Sequence, residues 1–147
     1  MKKKMKVLVG LCLAAVLALG GVGRYARAAS ESITIVDIEN GNVIKTKGRG
    51  FSTIGKMSGT AYTEPVANDV SYCTVSATFT WYDSNNNDNN DNVLYSNGNG
   101  AGGMHGAGVS MSYPYEVARV YSAEVTATHT VSLTTGGDGW CTTHEKW

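Results

Sequence analysis

A strict alternation with period two is the feature that most narrows what this chain can fold into. From Cys73 to Trp81 the odd positions read Cys, Val, Ala, Phe, Trp, and the even ones Thr, Ser, Thr, Thr. From Tyr121 to Leu133 the odd positions read Tyr, Ala, Val, Ala, His, Val, Leu, against Ser122, Glu124, Thr126, Thr128, Thr130 and Ser132. Successive side chains of a pleated strand point to opposite faces, so each run describes a strand with one apolar and one hydroxyl-bearing face. The abundance of Thr and Val suits that geometry, and no stretch beyond residue 28 keeps a helical period.

Weaker signals fill in the rest. Ile33–Glu39 and Asn42–Lys47 flank Asn40-Gly41, the dipeptide best suited to a two-residue hairpin. Met57–Thr63 reads as a strand stopped by Pro65, Val109–Tyr113 as one ending before Pro114, and Trp140–Trp147 as a return across Gly136-Gly137-Asp138-Gly139. Short strands with turn signals between them predict an all-β fold, an antiparallel β-sandwich of about seven strands. A membrane β-barrel shares the alternation but needs more and longer strands than these.

The N-terminus reads as a cleavable signal peptide. Lys2, Lys3, Lys4 and Lys6 precede an uncharged run, Val7–Val22, and Ala26-Arg27-Ala28 offers small residues where a signal peptidase needs them. The run is shorter than the roughly 20 residues that span a bilayer. Residues 1–28 are therefore expected to be removed, leaving residues 29–147 as a single secreted, extracellular domain whose only membrane contact precedes cleavage. The style of the signal is bacterial.

Cleavage changes the charge. Six of the twelve basic residues lie in the signal, so six remain against twelve acidic ones, a net charge of −6. Nucleic acid and anionic lipid both require clustered Lys or Arg, and neither is an expected partner. Cys12 leaves with the signal. Cys73 and Cys141 remain, and in an oxidising compartment two cysteines are expected to pair as a disulfide.

Two segments stand out as connections. Residues 83–92 are rich in Asn and Asp and read as a solvated loop. Their oxygens are hard ligands, which makes Asp83, Asp88 and Asp91 the candidates for a weak calcium site and calcium the one cofactor to test. The spacing departs from a helix-loop-helix calcium loop, with Asp88 where its glycine belongs and Leu94 where its glutamate belongs. Residues 97–108 hold six glycines and read as a flexible loop without the Gly-Lys-Ser/Thr ending of a phosphate loop.

Catalytic signatures are sparse. His129 falls on the apolar face of its strand and reads as a buried, hydrogen-bonded core histidine. Cys141 and His144 have two residues between them, as in zinc sites, but lack further ligands. His105 sits in the glycine-rich segment. Glu116 and Glu124 could form a carboxylate pair, with nothing to fix their separation. No nucleophile elbow or zinc-protease helix is present, so no enzyme is expected. The aromatic residues Trp81, Tyr82 and Tyr95 flank the Asn/Asp-rich segment, and rings beside amides are what carbohydrate binding uses. The reading is a non-catalytic binding or surface-interaction domain directed at an extracellular glycan, cell wall or cell-surface protein. Its rival is a secreted antimicrobial or toxin-like protein.

Overall fold

The computed structural model of the protein describes residues 27–37, 43–83 and 92–147. They form eight strands: β1 (Arg27–Asp37), β2 (Val43–Ile54), β3 (Ser58–Pro65), β4 (Val70–Tyr82), β5 (Val93–Gly103), β6 (Ala107–Ser112), β7 (Ser122–Leu133) and β8 (Asp138–Lys146). One short 3-10 turn, Val117–Arg119, lies between β6 and β7. Two four-stranded antiparallel sheets result, in the orders β1-β2-β3-β6 and β5-β4-β7-β8. They pack face to face, with β1 against β8, β2 against β7, β3 against β4 and β6 against β5. The fold is an all-β sandwich, as the alternation predicts.

The two long alternating runs lie side by side in the middle of one sheet. Val75, Ala77, Phe79 and Trp81 of β4 and Val125, Ala127 and Val131 of β7 fill the space between the sheets. The facing sheet offers small residues to receive them. A Cβ at Gly59 would lie 2.6 Å from the Phe79 ring, one at Gly50 would lie 2.4 Å from the His129 ring, and one at Gly48 would lie 2.6 Å from Val131. Close packing of this kind leaves no room for a methyl group at those three positions. On the other side of the sandwich, Ile33 and Ile35 of β1 press on Gly139 of β8.

Strand ends follow local chemistry. Pro65 is the last residue of β3, and Pro114 stands two residues beyond β6. The connection between β7 and β8 turns through Gly136 and Gly137, at φ 87° and 96°, a region that side chains disfavour.

Two expectations are corrected. Residues 97–108 are not a flexible loop: most of them belong to β5 and β6, which raises the strand count to eight. Gly98, Gly100 and Gly102 pair with Thr78, Ser76 and Thr74 of β4. Glycines present no side-chain pattern to read, and backbone pairing holds the segment instead. The Cys73–Cys141 disulfide is not formed; both thiols are free. Cys73 sits on β4 opposite Val131, Cys141 on β8 opposite His129, and β7 lies between them. Strands two places apart are separated by about 9.5 Å, more than the roughly 7 Å that a disulfide spans between Cα atoms.

The segment expected to be a signal peptide lies outside the described residues apart from Arg27 and Ala28, which open β1 opposite Ile54 and Thr53. The Asn40-Gly41 hairpin turn lies outside them as well. No helix among the described residues is long and apolar enough to cross a membrane.

Candidate functional site

The aromatic residues that the sequence singles out do not meet in one place. Trp81 is fully buried, and its indole N–H donates to the Gly55 carbonyl at 3.1 Å. It is a core residue and cannot contact a ligand from there. Tyr82, one position on, turns to the opposite face, where its hydroxyl donates to Glu124 Oε1. Only Tyr95 reaches a surface on which aromatics gather.

That surface is built where β6 ends. The chain leaves the strand through Tyr113-Pro114-Tyr115-Glu116 and is pinned by the Tyr113 N–H, which donates to the Met57 carbonyl at 2.8 Å. Trp81 then anchors a ladder of rings running outwards. Its ring centroid lies 5.7 Å from Tyr113 and 6.0 Å from Tyr95. Tyr95, Tyr113 and Tyr115 contact one another edge to face, at 5.7 to 6.4 Å and 77° to 80°. This arrangement suits the ring quadrupole and holds the outermost ring without burying it. Tyr115 stays 65 % exposed.

Beside the ladder is an open cleft of about 640 Å³, lined by Leu94, Tyr113, Pro114, Tyr115, Glu116 and Arg119. Its size falls in the ordinary range for small-molecule sites. It combines apolar and aromatic walls with one carboxylate and one guanidinium, so it can stack on a ring, accept hydrogen bonds and donate them. Tyr113, Tyr115 and Arg119 carry no motif in the sequence, although two tyrosines around a proline at a strand end are a readable signal. The cleft includes Glu116, whereas Glu124 stands on the outer face of the β4–β7–β8 sheet, so the two carboxylates serve different surroundings.

A second polar cluster surrounds Glu124. Its Oε1 accepts from Tyr82, and its Oε2 lies 3.3 Å from His144 Nε2 and 3.7 Å from Lys146 Nζ. Partial burial pushes the carboxyl upwards, but the Tyr82, His144 and Lys146 contacts outweigh it and hold Glu124 below its ordinary range.

The buried histidine has a defined role. Thr63 Oγ1 donates its only hydrogen to the Thr74 carbonyl at 2.8 Å, so towards His129 Nδ1, 2.9 Å away, it can only accept. The ring is then protonated at Nδ1, and Nε2 accepts from the Thr143 hydroxyl at 2.8 Å. Burial lowers the His129 pKa to about 4 and keeps the ring neutral. Burial also raises the Cys73 and Cys141 thiols, so neither is an activated thiolate. With both ring nitrogens committed to threonines, His129 and Cys141 do not form a nucleophile–base pair.

No group of three or more His, Cys, Asp or Glu among the described residues could hold a metal ion. Asp83 is described and half-buried, its N–H donating to the Asn92 carbonyl at 3.2 Å; Asp88 and Asp91 lie outside the described residues. Comparison with known protein families, with curated proteins and with solved structures gives no match.

Proposed function

We propose that this chain is a secreted, non-catalytic binding domain that takes carbohydrate, in a glycan or cell wall, at the tyrosine cleft. The observation that carries the reading is the exposed Tyr115 ring. It is held by Tyr113 and Tyr95 beside Glu116 and Arg119, at the mouth of a cleft rather than in the core. Sugar rings present apolar CH faces that pack on aromatic rings, and hydroxyls that both donate and accept. A carboxylate and a guanidinium next to the rings answer both hydroxyl roles. The acidic balance of the chain beyond residue 28 favours a neutral ligand over an anionic one.

The test is a glycan array and a cell-wall pulldown with the mature protein, compared with Tyr115→Ala and Arg119→Ala. Retained signal on a glycan class, lost in Tyr115→Ala at unchanged melting temperature, supports the reading. Silence on both surfaces removes it. For the antimicrobial alternative, a free glycine loop is not on offer, because most of residues 97–108 belong to strands β5 and β6. Growth inhibition by purified protein is its separate test.

A further inference from the structure

Strand β5 is the edge of its sheet and carries two Asn-Gly steps in succession, Asn97-Gly98 and Asn99-Gly100, with both asparagines exposed. In each step the glycine N–H donates to the side-chain oxygen of the asparagine before it, at 2.9 Å in both. The two steps differ in one respect. The Asn97 Nδ2 donates to the Tyr95 hydroxyl at 3.1 Å.

We infer that Asn97 is a site of spontaneous, self-assisted deamidation, with the Tyr95 hydroxyl relaying the proton that releases ammonia. The Gly98 nitrogen is held against the Asn97 amide and has no side chain of its own to obstruct the approach. As it loses its proton it attacks Asn97 Cγ. The N–Cγ bond forms, the Cγ–Nδ2 bond breaks, and Nδ2 leaves as ammonia carrying the proton that Gly98 gave up. The hydroxyl that accepts from Nδ2 in the resting amide stands where it can return a proton to that nitrogen on departure. Water then opens the cyclic imide at either carbonyl, giving aspartate or isoaspartate. The net change is one water consumed and one ammonia released, with no oxidant, reductant or enzyme required.

The consequences fall on this part of the molecule. An aspartate at position 97 loses the donor to Tyr95 and brings a negative charge next to a ring of the tyrosine ladder. An isoaspartate lengthens the backbone of β5 at the residue that pairs with Phe79. The inference rests on strand geometry and stands whatever ligand the cleft takes.

Asn99 provides an internal standard, because it shares the Asn-Gly step and the glycine hydrogen bond within the same strand. The experiment incubates the native full-length mature protein at mildly alkaline pH and follows the amide-to-acid mass gain and isoaspartate content at each site by peptide mapping. Wild type and Tyr95→Phe are compared, the latter keeping the ring and removing the hydroxyl. Asn97 is expected to convert faster than Asn99 by about tenfold, below the full range for a positioned acid or base. In Tyr95→Phe the two rates are expected to converge. Equal rates at the two sites in native wild type, or a ratio that Tyr95→Phe leaves unchanged, would overturn the inference.

Discussion

Thr63 of β3 and His129 of β7 meet across the two sheets at 2.9 Å, the threonine accepting and the histidine donating. Thr143 of β8 closes the other side of the ring, and the Thr74 carbonyl of β4 takes the Thr63 hydrogen. One buried polar chain thus connects four strands across a largely apolar core. A satisfied network of this kind fixes which residues may face each other, because any other pairing strands a donor or acceptor.

The same network makes stability depend on pH. The His129 pKa is about 4 in the folded protein and near 6.5 in an unfolded chain, so it is depressed by folding. Between those values the unfolded state binds the extra proton, and stability therefore falls as pH drops from about 6.5 to about 4. The shift corresponds to roughly 3 kcal/mol at the acid end of that window. Denaturant unfolding at successive pH values should show the decline, and the His129 ring resonances should stay in the neutral form at pH 5. A ring that titrates near its ordinary value would remove the effect.

Gly50→Ala is expected to destabilise by about 1–3 kcal/mol, because the new methyl has to displace the His129 ring or the Cys141 sulfur. Gly100→Ala is the matched control on another strand. Its Cβ would lie 3.5 Å from the nearest atom, ordinary contact, so a change below about 0.5 kcal/mol is expected. Unfolding midpoints for the pair decide whether glycine is needed for close packing at position 50 or is simply tolerated.

Ser52→Ala is expected to raise stability. Ser52 is 1 % exposed, and its hydroxyl is buried with no hydrogen-bond partner. Replacing it with a methyl removes an unmet polar group and leaves the shape nearly unchanged, worth about 1 kcal/mol. A melting temperature at or below that of wild type would indicate that the hydroxyl has a partner in solution.

Thiol chemistry tests the strand order. Native protein should retain Cys73 and Cys141 as free thiols, and reduction should leave its mass unchanged. Cys73 is fully buried and should react with an alkylating reagent only on unfolding. Cys141, half-buried and raised above its ordinary pKa, should react slowly in the native state. Loss of both thiols in a monomer would require β4 and β8 to be neighbours, against the observed order β4-β7-β8.

The parts of the fold visible in the sequence are those where side chains carry the period. β4 and β7 alternate because each has a filled inner face and a threonine outer face, and Pro65 marks the end of β3 by removing a donor. β5 was illegible for the opposite reason, since glycine after glycine leaves pairing with no side-chain signature. The disulfide expectation failed on topology: spacing along a chain does not reveal that a third strand intervenes. Trp81 illustrates a conflict within the sequence itself. The alternation that defines β4 already assigns it to the apolar face with Phe79, which excludes the ligand contact that its neighbours suggested. The cleft escaped because it joins Leu94 to residues 113–119, segments that become adjacent only when β5 and β6 meet at the edges of the two sheets.

The edge formed by β5 yields a last prediction. It is eleven residues long and contains no proline and no charged side chain, the usual protections against pairing with another molecule. Antiparallel pairing with β4 leaves alternate backbone groups of an edge strand facing outwards. The Gly98 and Gly100 N–H groups are taken by the side chains of Asn97 and Asn99 instead of by a neighbouring strand. Each asparagine thus occupies a donor that an incoming strand would need. Asn97→Ala/Asn99→Ala uncovers both donors on a flat, neutral edge and should promote edge-to-edge association, seen as concentration-dependent growth in light scattering. Asn97→Asp/Asn99→Asp keeps an acceptor beside each N–H and adds two negative charges, so it should stay as dispersed as wild type. Association of the alanine pair together with dispersion of the aspartate pair assigns the protection to the side-chain oxygens. Equal behaviour of the two variants would assign it to the glycines or to the twist of the sheet.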